Sequence, residues 1–242
     1  MGLKVFVDFD GTVTTEDVGD VFFRTFGGPL CDTYTGAYRD GRISAQECFR
    51  RETAAIRELD EEAAGRFLKE REMTAGFPEF VRFCAGRGIG LHILSDGLDY
   101  YITTILQHHN LGSVPFSSNV FTASAPGPEG LSAVSIAFPH SDVECDRCAC
   151  CKRNLMLTMT GDEDILAYVG DGYSDRCVAR YADVVFAKGD LQRFCQESNI
   201  SYYLYRSFHD VQDRLGELLD RRRVRKRRSA QVLRNEIFLR EP

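Results

Sequence analysis

Short apolar runs that do not alternate with polar residues recur along the chain: "KVFVDF" at 4–9, "GLHIL" at 90–94, "ILAYVG" at 165–170, "DVVFA" at 183–187 and "SYYLY" at 201–205. Such runs predict strands buried on both faces, as in a parallel sheet covered by helices on either side. Between them, residues 78–88, 98–112, 174–182 and 208–220 carry apolar positions at three- and four-residue spacing, which predicts crossover helices. The expected fold class is α/β, a doubly wound parallel-sheet core of the Rossmann-like kind.

Two intervals break the rhythm. Residues 15–75 hold no convincing strand and predict several amphipathic helices, among them 44–59 and 60–73, the latter opening on Asp60 in N-cap position. This segment reads as an inserted helical cap, leaving 1–14 and 76–220 as the core and 221–242 as a basic tail. Residues 113–151 mix Pro, Gly, Ser and a cysteine cluster, with short strand candidates at 118–122 and 133–138, and predict irregular hairpin structure.

Composition narrows the class. Hydrophobic residues make up 43% and charged residues 27%, which suits a soluble globular chain long enough to bury its own core. No apolar stretch has the length of a membrane span. The chain enters its first strand almost at once, without a basic segment, an apolar stretch and a small-residue cleavage site, so a cytoplasmic protein is expected. Its nine cysteines then read as reduced thiols or a metal site rather than disulfides. Charge is uneven: residues 221–242 carry nine basic and two acidic residues, against 21 and 34 in the rest.

The first strand runs into "DFDGT", Asp8 to Thr12. In an open α/β sheet ligands bind beyond the carboxyl ends of the strands. Strand periodicity sends Asp8 and Asp10 roughly the same way, Gly11 permits a tight turn, and Thr12 offers a hydroxyl. Two like charges so close call for a cation or for proton chemistry. A second strand end, "YVGDGYSD", adds Asp171 and Asp175. Carboxylates without histidine suit a hard cation such as Mg2+, which usually shares its shell with substrate phosphate. At a third strand end, "HILSDG", Ser95 and the amides of Asp96 and Gly97 favour an anion. Lys152 can add a fixed positive charge to a phosphate oxygen. Phosphoryl chemistry on a small molecule is the leading reading.

Taken in order, "DFDGT", the strand-end serine, the lysine and "GDGYSD" resemble the four motifs of the haloacid-dehalogenase superfamily of phosphohydrolases, over residues 4–219. The helical segment resembles the cap of that superfamily's first subclass. More narrowly, "CDRCACCKR", "FPH", "DVVFAKGDL" and "ISYYLYRSFHDVQ" resemble the methionine-salvage phosphatases that act on 2-hydroxy-3-keto-5-methylthiopentenyl-1-phosphate. Phosphatases of phosphoserine and of phosphocholine or phosphoethanolamine are similar but more distant.

The resemblance implies Asp8 as nucleophile, forming an aspartyl-phosphate, and Asp10 as acid and base. It implies Mg2+ on Asp8, the backbone carbonyl of Asp10, and Asp171. Thr12, Ser95 and Lys152 would grip phosphoryl oxygens, and Asp175 would orient Lys152 or a metal-bound water. Asp17 occupies the place where phosphoserine phosphatases carry a substrate-contacting glutamate. Phe22, Phe23 and Phe26 fit plain core better than a substrate pocket, and Tyr38 and Arg39 are weaker candidates for substrate contact.

Cys145, Cys148 and Cys151, with His140, supply enough ligands for a structural Zn2+, which would fix Lys152; reduced thiols and a redox role are the alternatives. Cys31, Cys48, Cys84, Cys177 and Cys195 read as small core residues. The tail's "RRRVRKRR", 221–228, is expected as a solvated extension of the last helix. Nucleic acid, an anionic membrane or the acidic body are its sharper alternatives. Without interleaved aromatics base stacking is not expected. Oligomeric state is not legible in the sequence.

Overall fold

The computed structural model describes residues 2–125, 127, 129–143, 145 and 147–238. Residues 239–242 of the expected tail, and Asp146 within the cysteine cluster, lie outside them.

Seven strands form the main sheet: β1 (Leu3–Val7), β3 (Gly90–Leu98), β4 (Phe116–Ala123), β6 (Val134–Ala137), β7 (Ile165–Gly170), β8 (Val184–Ala187) and β9 (Tyr203–Leu204). Their order is β6-β4-β3-β1-β7-β8-β9, parallel throughout except for β6, which returns antiparallel along β4. Strand candidate 118–122 lies within β4, whose Phe116, Ser117 and Asn119 pair with β3, while Val120–Ala123 pair antiparallel with β6, so the hairpin expected in this interval joins the edge of the main sheet. The winding reverses between β1 and β7, so the crevice outside their carboxyl ends is the switch point of the sheet.

The unbroken apolar runs are explained by burial on both faces. Val5, Val7, Ile93, Ala167, Val169 and Phe186 face one core, while Phe6, Leu94, Leu166, Tyr168, Val185 and Ala187 face the other. Helices α5 (Phe77–Gly86), α6 (Asp99–His108) and α10 (Phe208–Asp220) close the first core; α7 (Lys152–Thr158), α8 (Asp175–Ala179) and α9 (Gly189–Glu197) close the second. Each fully buried Phe, Ile, Leu or Val contributes about 1.5–3 kcal/mol, so the two faces of the sheet carry much of the fold's stabilisation.

Between the first strand and β3 come α1 (Val18–Gly27), α2 (Leu30–Arg39), α3 (Ala45–Ala55) and α4 (Glu61–Lys69). Asp17, Ser44 and Asp60 cap α1, α3 and α4 by accepting backbone N–H bonds from Asp20, Glu47 and Ala63. This segment is not wholly helical: β2 (Leu59–Asp60) pairs antiparallel with β5 (Leu131–Ser132). Two residues are too few for a periodic signal.

The chain does not simply extend α10. It turns at Arg222, whose φ is +52°, and forms a separate helix, α11 (Arg228–Phe238). Arg234 and the Arg227 backbone N–H meet Asp183 at 2.9 Å each, and Ala230 is fully buried. No helix among the described residues is long and apolar enough to cross a membrane.

Candidate active site

Three loops bring the motif residues to the switch point. After β1, the backbone turns through Gly11 at φ +73°, anchored by the Gly11 N–H on the Glu16 carbonyl and the Thr14 N–H on the Phe9 carbonyl. A Cβ on Gly11 would stand 2.8 Å from an Asp171 oxygen, so the residue has both its conformation and its lack of a side chain imposed. In β3 the pairing with β4 jumps from Leu94–Ser117 to Leu98–Asn119, lifting Ser95, Asp96 and Gly97 out of regular register. After β7, Gly170 and Gly172 flank Asp171.

Asp8, Asp171 and Asp175 offer carboxylate oxygens within 4.8 Å of one another, and among the described residues they are the only such group of acidic, thiol or imidazole side chains. Lys152 lies against them, 2% exposed, its Nζ donating to Asp8 Oδ1 at 2.5 Å, Asp175 Oδ1 at 2.7 Å and Ser174 Oγ at 3.0 Å. Burial works against the ammonium, but Asp175 and Asp8 outweigh it and hold its pKa well above the usual value. Burial, then Asp175, raises the pKa of Asp8 well above the carboxylate range, with Lys152 opposing. Asp171 is pushed up to about 6, by burial and then by Asp175. One ammonium thus balances three carboxylates incompletely.

Asp175 accepts two further N–H bonds, from Asp171 and Gly172 at 2.9 Å, and the Tyr168 hydroxyl at 2.5 Å. With Lys152 it has four donors and fixes the loop. Asp10 accepts at Oδ1 from the backbone N–H groups of Val18 at 3.0 Å and Gly19 at 3.3 Å. At Oδ2 it accepts from the hydroxyls of Tyr101 at 2.9 Å and Ser95 at 3.2 Å. Burial raises its pKa, and the Tyr101 bond opposes that most.

A cavity of about 740 Å³ opens between these loops and the helices of residues 15–75. Asp8, Asp10, Asp17, Asp96, Gly97 and Asp171 line it, whereas Thr12, Ser95, Lys152 and Asp175 stand behind its wall. The Thr12 hydroxyl, expected on a phosphoryl oxygen, donates instead to Asp171 at 2.7 Å. Ser95, expected to do likewise, donates to Asp10 and accepts the Gly97 N–H at 2.9 Å. Asp96 takes the Cys150 N–H at 2.5 Å and so ties the β3 loop to the segment bearing Lys152. Asp17 faces the cavity while capping α1, and its surroundings, Asp10 and Asp20 raise its pKa. Phe22 is core, as expected; Phe23 is core but also touches the cavity. Tyr38 and Arg39 both line it, Arg39 paired with Asp20 at 2.8 Å.

His140, Cys145, Cys148 and Cys151 do not converge as a metal site. The reason is local: the Cys151 thiol donates to Asp142 at 3.9 Å, and His140 meets this segment by its backbone carbonyl, which accepts the Cys151 N–H at 2.7 Å. Cys177, expected in the core, is exposed, since α8 turns it outward. Tyr101, Tyr168, Ser174 and Lys188 were not anticipated. A tyrosine inside a fully apolar strand, as in "ILAYVG", was the available signal, because a buried phenol needs a partner. Lys188 had none: it lines the cavity only because β8 ends there.

The family haloacid dehalogenase-like hydrolase matches residues 5–180. A 2-hydroxy-3-keto-5-methylthiopentenyl-1-phosphate phosphatase of Bacillus cereus (strain ATCC 10987 / NRS 248) is 29% identical over 223 residues, covering 91% of this chain and 99% of its own. The structure resembles a solved phospho-aspartyl intermediate analogue of phosphoserine phosphatase, with TM-score 0.64 and 17% identity over 87% of this chain and 96% of that one. It also resembles phosphoserine phosphatase from T. onnurineus, with TM-score 0.63 and 16% identity over 88% and 94%.

Proposed function

The chain belongs to the haloacid dehalogenase-like hydrolases and is a phosphatase of a small phosphorylated molecule; from that premise we propose that it hydrolyses 2-hydroxy-3-keto-5-methylthiopentenyl-1-phosphate through an aspartyl-phosphate on Asp8. The observation that carries the chemistry is Lys152, buried between Asp8 and Asp175 and beside Asp171 at the switch point.

In this reading an Asp8 carboxylate oxygen attacks phosphorus as the bond to the leaving oxygen breaks. Asp10 donates its proton to that oxygen, then takes one from the water that opens the acyl phosphate. Its four fixed donors hold it in place for both steps. Asp175 positions Lys152 and the Asp171 loop, and Lys152 and Lys188 supply positive charge on the phosphate side.

The donor set fits Mg2+: hard oxygen ligands, crowded carboxylates with raised pKa values, and too little positive charge to balance them. Asp8, Asp171 and the Asp10 carbonyl would hold it; Asp175 already has four donors. When bound, Mg2+ offsets the repulsion between the Asp8 carboxylate and the phosphoryl oxygens.

The leaving group would sit toward α1–α3, a segment that would act as a cap excluding water. That wall carries Asp17, Asp20 and Glu52, and its guanidinium, Arg39, is already paired with Asp20. A carboxylate-bearing leaving group such as serine would meet like charge there. Phe23, Ala45, Cys48 and Phe49 supply an apolar end suited to a methylthio group. The acidic wall also supports a second reading, a cationic leaving group such as ethanolamine.

The test is phosphate release with Mg2+ from a panel of phosphomonoesters, including the methionine-salvage phosphate generated in situ, beside Asp8→Asn. The reading expects kcat/KM for that substrate at least about tenfold above phosphoserine, and no turnover by Asp8→Asn. Preference for phosphoserine, or Mg2+-dependent turnover by the variant, would overturn it.

A further inference from the structure

Helix α3 turns one face to the cavity: Ala45, Cys48, Phe49 and Glu52, spaced three and four residues apart, all line it. Three of the four are apolar, and Phe23 of α1 completes the patch, its ring edge-on to that of Phe49 at 5.9 Å between centroids. The fourth is a carboxyl, 5% exposed, where the packing of α3 by itself would favour another apolar residue. No basic side chain compensates it: among the described residues Glu52 has no ion pair, and Arg39, the guanidinium of this wall, is held by Asp20 at 2.8 Å. The Thr35 hydroxyl of α2 donates to Glu52 Oε1 at 2.9 Å, and Cys48, one turn earlier in α3, offers only a weak thiol donor. We propose that Glu52 is the specificity-determining residue of the leaving-group end of the cavity, where its carboxyl hydrogen-bonds a hydroxyl or carbonyl oxygen of an uncharged leaving group.

An apolar pocket fixes the orientation of its ligand through a few placed polar groups, and Glu52 with Thr35 is such a group among Phe23, Ala45, Cys48 and Phe49. Burial, opposed by the Thr35 bond, pushes Glu52 up to about 7, so near neutral pH much of it is the neutral acid, which both donates and accepts. The acid donates to a carbonyl oxygen, and either form accepts from a hydroxyl. An ammonium fits this position less well. Seating it here strips water from two ionic groups, whereas a hydroxyl or carbonyl brings no charge to desolvate. A carboxylate on the leaving group would meet Asp17 and Asp20 in the same wall.

This role deepens the phosphatase reading and rests on it, but not on which phosphate is the natural substrate. A site built to bond a ligand oxygen rejects the analogue that lacks it, because the buried carboxyl is then left without that partner. Discrimination therefore appears between esters that differ by one oxygen at the leaving-group end, whatever the absolute rate.

Phosphate release with Mg2+ is measured from alkyl, ω-hydroxyalkyl and ω-aminoalkyl monophosphates of three to six carbons, for the wild type, Glu52→Gln and Glu52→Leu. Wild-type kcat/KM should favour the hydroxyl ester over the plain alkyl ester about tenfold to a hundredfold at one chain length or more. The ratio is taken within each protein, so a loss of stability that lowers both rates cancels. Glu52→Leu puts an apolar residue of similar size in place of a buried carboxyl, a change that folds tolerate, and it should abolish the ratio. Glu52→Gln keeps a donor and an acceptor and should retain most of it. A ratio that survives Glu52→Leu, a ratio lost as fully in Glu52→Gln, or a wild-type preference for the amino ester overturns the proposal. Wild-type turnover that gains nothing from the hydroxyl does the same and leaves the phosphatase reading standing; no turnover of any ester overturns that reading, and this role with it.

Discussion

Lys152 Nζ lies 2.7 Å from Asp175 Oδ1 where neither side chain is open to water, at 2% and 0% exposure. Breaking a buried ion pair of this kind costs up to roughly 3–5 kcal/mol, and Asp175→Asn takes from Lys152 one of its two carboxylate partners. Asp175→Asn also weakens acceptance from the Asp171 and Gly172 N–H groups. For a protein of this size the melting temperature should fall roughly 6–20 °C, read by calorimetry, and turnover should be lost, because Lys152 keeps only Asp8 and the Ser174 hydroxyl. An Asp175→Asn protein of unchanged melting temperature would remove this carboxylate from its positioning role.

Tyr101 donates to Asp10 Oδ2 while its ring stacks on Phe9 at 6.1 Å between centroids. Tyr101→Phe keeps the ring and deletes the donor, costing about 1–2 kcal/mol of stability. Burial already raises Asp10, and the tyrosine bond restrains it, so deletion moves its pKa further up. The alkaline limb of kcat/KM, which reports loss of the proton needed by the leaving group, should shift to higher pH, with kcat down on the order of tenfold. An unmoved limb would mean that Asp10 is not the acid.

Glu52, 5% exposed in the cavity wall, is pushed up to about 7 by burial, with Asp20 adding to it and the Thr35 hydroxyl opposing. Its folded pKa is above its unfolded value, so between about pH 4.5 and 7 the folded state binds the proton more tightly. Stability from this group therefore falls as pH rises through that window, by on the order of 2–3 kcal/mol. Glu52→Gln, which mimics the protonated form, should flatten the window and raise the melting temperature at pH 8. Melting curves of the two proteins from pH 4 to 8 decide it.

Strands β1, β3, β7 and β8 were legible because a strand buried on both faces leaves no polar position in its run, and their carboxyl ends put Asp8, Ser95 and Asp171 together. Strand ends did not show the partners of the Thr12 and Ser95 hydroxyls, which meet Asp171 and Asp10, because a buried carboxylate is a strong acceptor. Spacing showed that the cysteines were close, but not that the Cys151 thiol would meet Asp142 rather than a metal. Tyr101 and Lys188 reach the site by the winding of the chain, which periodicity does not encode. The helices of residues 15–75 were readable as helices, yet the cavity wall they form depends on how α1, α2 and α3 pack, and no single helix carries that information.

The basic tail shows the same limit in charge. "RRRVRKRR" suggested a solvated arm, but the Arg227 backbone N–H and the Arg234 side chain both meet Asp183, whose side chain is fully buried, while Arg227's guanidinium donates to the carbonyls of Ala179 and Arg180. Asp183 precedes β8, at the end of the sheet opposite the cavity. Deleting residues 221–242 should leave it only the Leu166 N–H as a bonding partner among these, at 3.0 Å. The expected cost is again roughly 3–5 kcal/mol, with KM unchanged because none of these contacts reaches the site. Arg234→Ala should give part of that loss, and its effect should vanish in an Asp183→Asn background. A truncated protein of full stability would return the tail to solvent, and salt-sensitive affinity for a polyanion confined to the full chain would then assign it a partner instead.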